Sequence, residues 1–195
     1  MTIEAWLVII SSIISLTGIA TYIRDTIASR SKPNLVTWSL WAMAPFIGTA
    51  AALAAHQANL STVRVFLAGF APFLVVVTSL FNPKSYWKLT RFDFTCGAIS
   101  VLAIIAWLGL GSTQWAVALA VAADGLALLP TLRKAWNFPE TETGLTFLAG
   151  LISTIIVMPL IPRWDIENSA FQIYLLVANS LLVLFIYRKK LKFKK

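Results

Sequence analysis

Apolar positions in this chain run unbroken over the length of a membrane crossing, stop at short polar gaps and resume: roughly 4 to 23, 35 to 55, 61 to 81, 93 to 111, 113 to 132, 144 to 162 and 169 to 187. Read in windows of about 19 residues, each stretch has about the 20 residues that a helix needs to cross roughly 30 Å of hydrocarbon. An open strand cannot make that crossing, because its backbone groups would go unpaired. The pattern predicts an all-α membrane protein of seven transmembrane helices.

The gaps carry a second pattern. Arg24, Arg30 and Lys32 follow segment one; Lys84, Lys88 and Arg91 follow segment three; Arg133 and Lys134 follow segment five; Arg188, Lys189, Lys190, Lys192, Lys194 and Lys195 follow segment seven. Of the 16 Lys and Arg, only Arg64 and Arg163 fall in the alternate gaps. Lysine and arginine in short loops stay on the cytoplasmic face. The alternation therefore predicts an outside N-terminus and a cytoplasmic C-terminus, in a membrane such as the bacterial cytoplasmic one. Tryptophans follow the same scheme, with Trp6, Trp107, Trp115 and Trp164 at expected outer ends and Trp38, Trp87 and Trp136 at inner ones, where an interfacial belt belongs.

With 58% hydrophobic and 12% charged residues, the chain is too apolar for a soluble domain. The net charge of +8 is explained by anionic lipid and topology rather than nucleic acid, since the basic residues sit at segment ends and in the terminal run. Cys96 alone makes neither a disulfide framework nor a metal set, and reads as a small core residue. Glu4 stands where a signal peptide would be basic, so the first helix is expected to remain.

Shifted by about 107 residues, segments one to three overlie segments five to seven and leave segment four single. Gly18 then meets Gly125, Ala42 meets Ala149, Ala71 meets Ala178 and Val76 meets Val183. A basic turn and a proline loop recur as well, at Lys32, Pro33 and Asn34 and at Phe138, Pro139 and Glu140. Segments one and five enter from the same side, so the expected architecture is two parallel three-helix repeats joined by one linker helix. The boundaries are 1–91 for the first repeat, 92–111 for the linker helix, 112–188 for the second repeat and 189–195 for a basic cytoplasmic tail.

Leu128, Leu129, Pro130, Thr131, Leu132, Arg133, Lys134, Ala135 and Trp136, followed by Asn137, Phe138 and Pro139, are similar to the proline-centred end of a PQ-loop helix and its turn. On these residues and the three-plus-one-plus-three plan the chain resembles the PQ-loop and SWEET-like transporter superfamily. Thr131 stands in place of that family's glutamine, and Tyr22, Ile23 and Arg24 hold the corresponding place in the first repeat with neither Pro nor Gln. The resemblance implies a carrier of small solutes.

Asp124 lies near the middle of segment five, about ten residues from both Trp115 and Lys134. A charge at that depth is costly and must face the bundle interior. It is a candidate for solute binding or proton coupling; the competing reading pairs it structurally with hydroxyls of segment one, where the repeat shift places Thr17 opposite it. Asn179 in segment seven resembles the cavity-lining asparagine of SWEET carriers, although its mate at the same shift is Pro72; its alternative is an interhelical hydrogen bond. Trp41, one turn inside segment two, either walls a solute cavity or simply packs. Pro45 and Pro130 are candidate hinges by the same resemblance, or static kinks. Arg24 with Asp25 and Arg91 with Asp93 read as inner-interface charge pairs.

No HExxH, GxSxG or phosphate loop occurs, and a lone intramembrane aspartate does not make an aspartyl protease, so no enzyme, cofactor or metal is expected. The sequence reading is a transporter of a small neutral or zwitterionic solute, a sugar, amino acid or vitamin, working by alternating access with a proton as coupling ion. Its partners are the solute, the bilayer and, as an option, further copies of itself. The alternative is a membrane receptor or assembly factor that uses the same scaffold to hold a peptide or partner protein.

Overall fold

The computed structural model describes residues 2–54, 56, 60–109 and 113–191. They form seven α-helices and, among the described residues, no strand: α1 Ile3–Ile27, α2 Leu35–Ala54, α3 Leu60–Leu80, α4 Arg91–Leu108, α5 Thr113–Asn137, α6 Gly144–Val157 and α7 Ile166–Leu191. Each apolar segment becomes one helix. Three of them, Ile3–Ile27, Leu35–Ala54 and Ile166–Lys189, are long and apolar enough to cross a membrane, and Val65–Leu80 and Gly144–Leu160 are shorter apolar helices. The segment ends at 55, 110 and 111 and the tail lysines Lys192, Lys194 and Lys195 lie outside the described residues, as do the side chains of Arg64, Trp107 and Lys190.

Local chemistry explains the helix limits. Asn34 caps α2, its Oδ1 accepting from the backbone N–H groups of Val36 at 3.1 Å and Thr37 at 3.3 Å. Thr90 and Asp93 close a capping box at the start of α4: the Thr90 N–H and hydroxyl both donate to Asp93 Oδ2, and the Asp93 N–H returns to Thr90 Oγ1. Asp165 caps α7 through the Asn168 N–H. Hydrogen bonds from Asn168 hold the Asp165 carboxyl below its ordinary value. Pro159 and Pro162 stand where α6 gives way to a 3-10 turn and a bend, whereas Pro45, Pro72 and Pro130 sit inside α2, α3 and α5.

Six helices close a ring in the order α1, α3, α2, α5, α7, α6, and α4 packs outside it against α5 and α2. Exchanging α1, α2 and α3 for α5, α6 and α7 returns the same ring. The α1–α6 seam is built of small residues on one helical stripe. Ser15 donates to Ser153 at 2.9 Å, Ser153 to the Ser11 carbonyl at 2.9 Å, and Thr146 to the Gly18 carbonyl at 2.7 Å. Small side chains of this kind let helices approach closely where lipid gives no hydrophobic drive. Apolar residues such as Ile13, Phe70, Leu102, Ile155 and Val177 stay exposed on the outer faces, a surface that calls for lipid or a partner.

The basic gaps gather at one end. Asn82 Nδ2 donates to the carbonyls of Thr26 and Ile27 at 2.8 and 2.9 Å, tying the turn after α3 to the end of α1. The Lys32 N–H donates to the Thr141 carbonyl at 3.0 Å, tying the α1–α2 loop to the α5–α6 loop. Arg188 of α7 donates to the Ala135 carbonyl at 3.1 Å.

Three expectations change. Trp38 is not an interfacial residue: it is buried against Tyr22, ring centroids 4.5 Å apart. Arg91 and Asp93 form no ion pair among the described residues, because positions i and i+2 of a helix do not face each other; Asp93 turns inward to Thr90 and to Asn34, whose Nδ2 donates at 3.0 Å. Lys134 is buried rather than facing the interface. The Arg24–Asp25 pair is present at 3.4 Å, with Arg30 closer to the same carboxylate at 2.5 Å.

Candidate functional site

Asp124 occupies the middle of α5. Its carboxylate Oδ2 accepts from the Tyr174 hydroxyl of α7 at 2.5 Å. The indole of Trp41, from α2, lies beside the same carboxylate, but its buried Nε1 reaches hydrogen-bond geometry with no described group. The charge-assisted bond from Tyr174 fixes the carboxylate's orientation. No described hydrogen bond claims Oδ1.

The carboxylate opens onto a cavity of about 380 Å³, within the roughly 300–1,000 Å³ range of small-molecule sites. Leu40, Ala44 and Pro45 of α2, Ser100 and Ile104 of α4 and Phe171 of α7 form much of its wall. Among the described residues, Asp124 and Ser100 are the only polar side chains there, and the Ser100 hydroxyl donates to the Ala123 carbonyl at 2.7 Å. Most of the lining lies in the halves of the helices remote from the basic loops.

Of the sequence candidates, the structure brings Asp124, Trp41 and Pro45 together. Asn179 stands elsewhere: its Nδ2 donates to the Leu175 carbonyl of its own helix at 2.9 Å, and its Oδ1 presses against Gly150 of α6. Thr17 is exposed and bonds the Ile13 carbonyl of its own helix, so Asp124 is not paired with α1. Pro130 is buried and removes the N–H that the Leu126 carbonyl would accept. One residue on, the Ala127 carbonyl accepts from Thr37 of α2 at 2.6 Å. Thr131, at the glutamine position of the resemblance, donates to the Thr37 hydroxyl at 2.9 Å.

Sequence reasoning missed a second polar centre, at the basic end. Lys134 and Glu142 form an ion pair at 2.8 Å with both side chains essentially inaccessible, 1% and 0% exposed. The Tyr22 hydroxyl donates to Glu142 Oε2 at 2.7 Å, Lys134 donates to the Lys32 carbonyl, and the Lys134 ammonium stands 5.0 Å from the centre of the Trp87 ring. An aromatic column joins the two centres: Trp41 meets Trp38 edge-on at 5.2 Å, and Trp38 stacks aslant on Tyr22. The centre closes the space between α1, α5 and the loop that follows α5.

Compared with known proteins, the chain matches no family model, no curated protein and no solved structure.

Proposed function

We propose that the chain is an integral membrane carrier, with seven spans in a three-plus-one-plus-three plan, that moves a small solute by alternating access around Asp124. The observation that carries this reading is a carboxylate in mid-helix that opens onto a cavity, with one oxygen unclaimed and no described cation beside it. A carboxylate in that position is costly to keep. Binding a solute or a proton is the role that offsets the cost.

Other features support the same reading. The ring of helix contacts repeats between α1–α3 and α5–α7, as parallel repeats about an axis along the membrane normal would, and it leaves α4 as the linker. The basic residues of alternate gaps sit at one end, in keeping with that end lying in the cytoplasm. The cavity fills the opposite half while Tyr22, Glu142 and Lys134 close the basic end, the disposition of a carrier shut on its cytoplasmic side. Pro45 borders the cavity and Pro130 weakens α5 beside it, so bending at these two residues is the proposed route to the opposite state. The resemblance to PQ-loop and SWEET-like transporters points the same way.

One observation favours the receptor or assembly-factor reading: a partly polar groove of about 480 Å³ at the basic end, with Thr21, Asp25, Glu140, Thr143 and Lys189 in its wall. Such a groove is a grip for a peptide on one face. Accessibility separates the two readings. With Cys96→Ser as background, Ala44→Cys in the cavity wall is expected to react with a membrane-impermeant thiol reagent from either side of the membrane, in proportions that a transported solute alters. Reaction from one side only, whatever is added, would favour the receptor.

A further inference from the structure

We propose that the Asp124 cavity takes a monovalent organic cation, a protonated amine on a compact apolar body, and that this cation exchanges with a proton on the same carboxylate. The proposal rests on the carrier reading for taking the cavity as a solute site, and it narrows what enters it.

The cavity wall decides between solute classes by what it can satisfy. A sugar brings many hydroxyls, and each one buried without a partner costs more than its bonds return. Here the Ser100 O–H is spent on the Ala123 carbonyl, leaving Asp124 as the one charged acceptor among the described lining residues. A zwitterion would bring its own carboxylate into a wall with no described Lys, Arg or His. An anion would meet Asp124 itself. A single positive charge is the charge that the described wall accommodates.

Geometry supplies the rest. Tyr174 holds Oδ2, so Oδ1 is the oxygen offered to an ammonium N–H. The apolar remainder of the wall, Leu40, Ala44, Ile104 and Phe171, matches a hydrocarbon body. No described ion pair reaches Asp124: among the described residues the acidic partners of Lys and Arg are Asp25, Glu142 and Asp165, all near helix ends. An unpaired carboxylate in the span calls for neutralisation in both states, by the amine when loaded and by a proton when empty. The two occupants exclude each other, and that exclusion is an exchange mechanism. Besides Asp124, the titratable group at the site among the described residues is Tyr174 of α7; the described lining of α2 is Leu40, Ala44, Pro45 and Gly48, that of α4 is Ser100 and Ile104, and that of α3 is Val65 and Ala68.

The test is binding to the purified full chain in lipid nanodiscs, read by calorimetry, with phenethylamine and benzyltrimethylammonium against phenethyl alcohol and phenylacetate as uncharged and anionic counterparts. The expected result is saturable binding of both cations, with the alcohol and the anion weaker by about tenfold or more, and weakening of the amine as pH falls. Asp124→Asn is expected to weaken the cations by about 10- to 100-fold and to leave the alcohol unchanged. Equal binding of amine and alcohol would overturn the proposal, as would wild-type amine affinity in a correctly folded Asp124→Asn. Should that variant not fold, Ala44→Phe, which fills the cavity from its α2 wall, is expected to abolish cation binding; undiminished binding there would overturn it too. Cation binding without flux would keep this proposal and remove the carrier, whereas flux of uncharged solutes with no preference for amines would do the reverse.

Discussion

Lys134→Met is expected to destabilise the protein by about 3–5 kcal/mol, the cost of leaving one member of a buried ion pair without its partner. The pair is as enclosed as any in the structure, with Glu142 at 0% and Lys134 at 1% side-chain exposure. Removing the ammonium leaves the Glu142 carboxylate with the Tyr22 hydroxyl as its one described side-chain donor, and it also frees the Lys32 carbonyl that Lys134 serves. Glu142→Leu is expected to do comparable damage from the other side, leaving the buried ammonium without its carboxylate partner, beside the Trp87 ring and the Lys32 carbonyl. The double variant Lys134→Met, Glu142→Leu removes both charges together, and the desolvation cost disappears with them. It is expected to recover most of the loss, because apolar pairs of similar volume replace buried ion pairs at little cost. Thermal unfolding of the four proteins in one detergent measures this directly. Additive single-variant losses in the double would show that the two side chains do not act as a pair.

The second large effect belongs to the α1–α6 seam. A Cβ at Gly18 would lie 2.7 Å from the Ala149 Cβ and 3.2 Å from the Thr146 carbonyl oxygen. Neither atom is the end of a flexible side chain. Gly18→Val must therefore part the two helices and loosen the hydrogen bond from Thr146 to the Gly18 carbonyl. Overpacking of a close seam costs about 1–3 kcal/mol or more, and in a bilayer the seam has little besides packing to hold it. Gly18→Ala is expected to be milder and to be relieved by Ala149→Gly, which removes the nearest clashing atom. Gly48→Ala serves as the control: its nearest neighbour is Val65 Cγ1 at 3.8 Å, so no loss is expected. If Gly18→Val unfolds at the wild-type temperature, the close approach of α1 and α6 is wrong.

These two features differ in how far the sequence announces them. Seven helices are legible because each apolar run is long and bounded by turn residues, and the structure places every helix within a few residues of its run. Gly18 is visible as a repeat partner of Gly125, yet nothing local says that α6 is what it approaches. Asp124 stands out because a charge in an apolar run has no local excuse. Its partner Tyr174 does not, since a tyrosine 50 residues away is one aromatic among many until α5 and α7 are packed together.

Lys134 was hidden for an instructive reason. A lysine at a helix end after an apolar span reads as an interfacial charge, and by that rule it was counted with the topology signal. What buries it is Glu142, in a loop with no periodicity to mark it, together with Tyr22 from the far end of the chain. The Thr90-x-x-Asp93 spacing, by contrast, is a capping signal that the sequence did contain. Charge-pair reasoning between Arg91 and Asp93 passed over it. Asn179 shows the converse: resemblance pointed to a cavity, and packing set its carboxamide against Gly150 instead.

The central claim is that a solute crosses through the Asp124 cavity. Its most direct test is uptake by the purified protein in liposomes across labelled amines, sugars, amino acids and vitamins, with and without a proton gradient, for wild type and Asp124→Asn. The account predicts gradient-driven movement of at least one solute, lost in Asp124→Asn while the variant keeps its wild-type fold. Movement that ignores both the gradient and the substitution, or no movement of any solute, would contradict it.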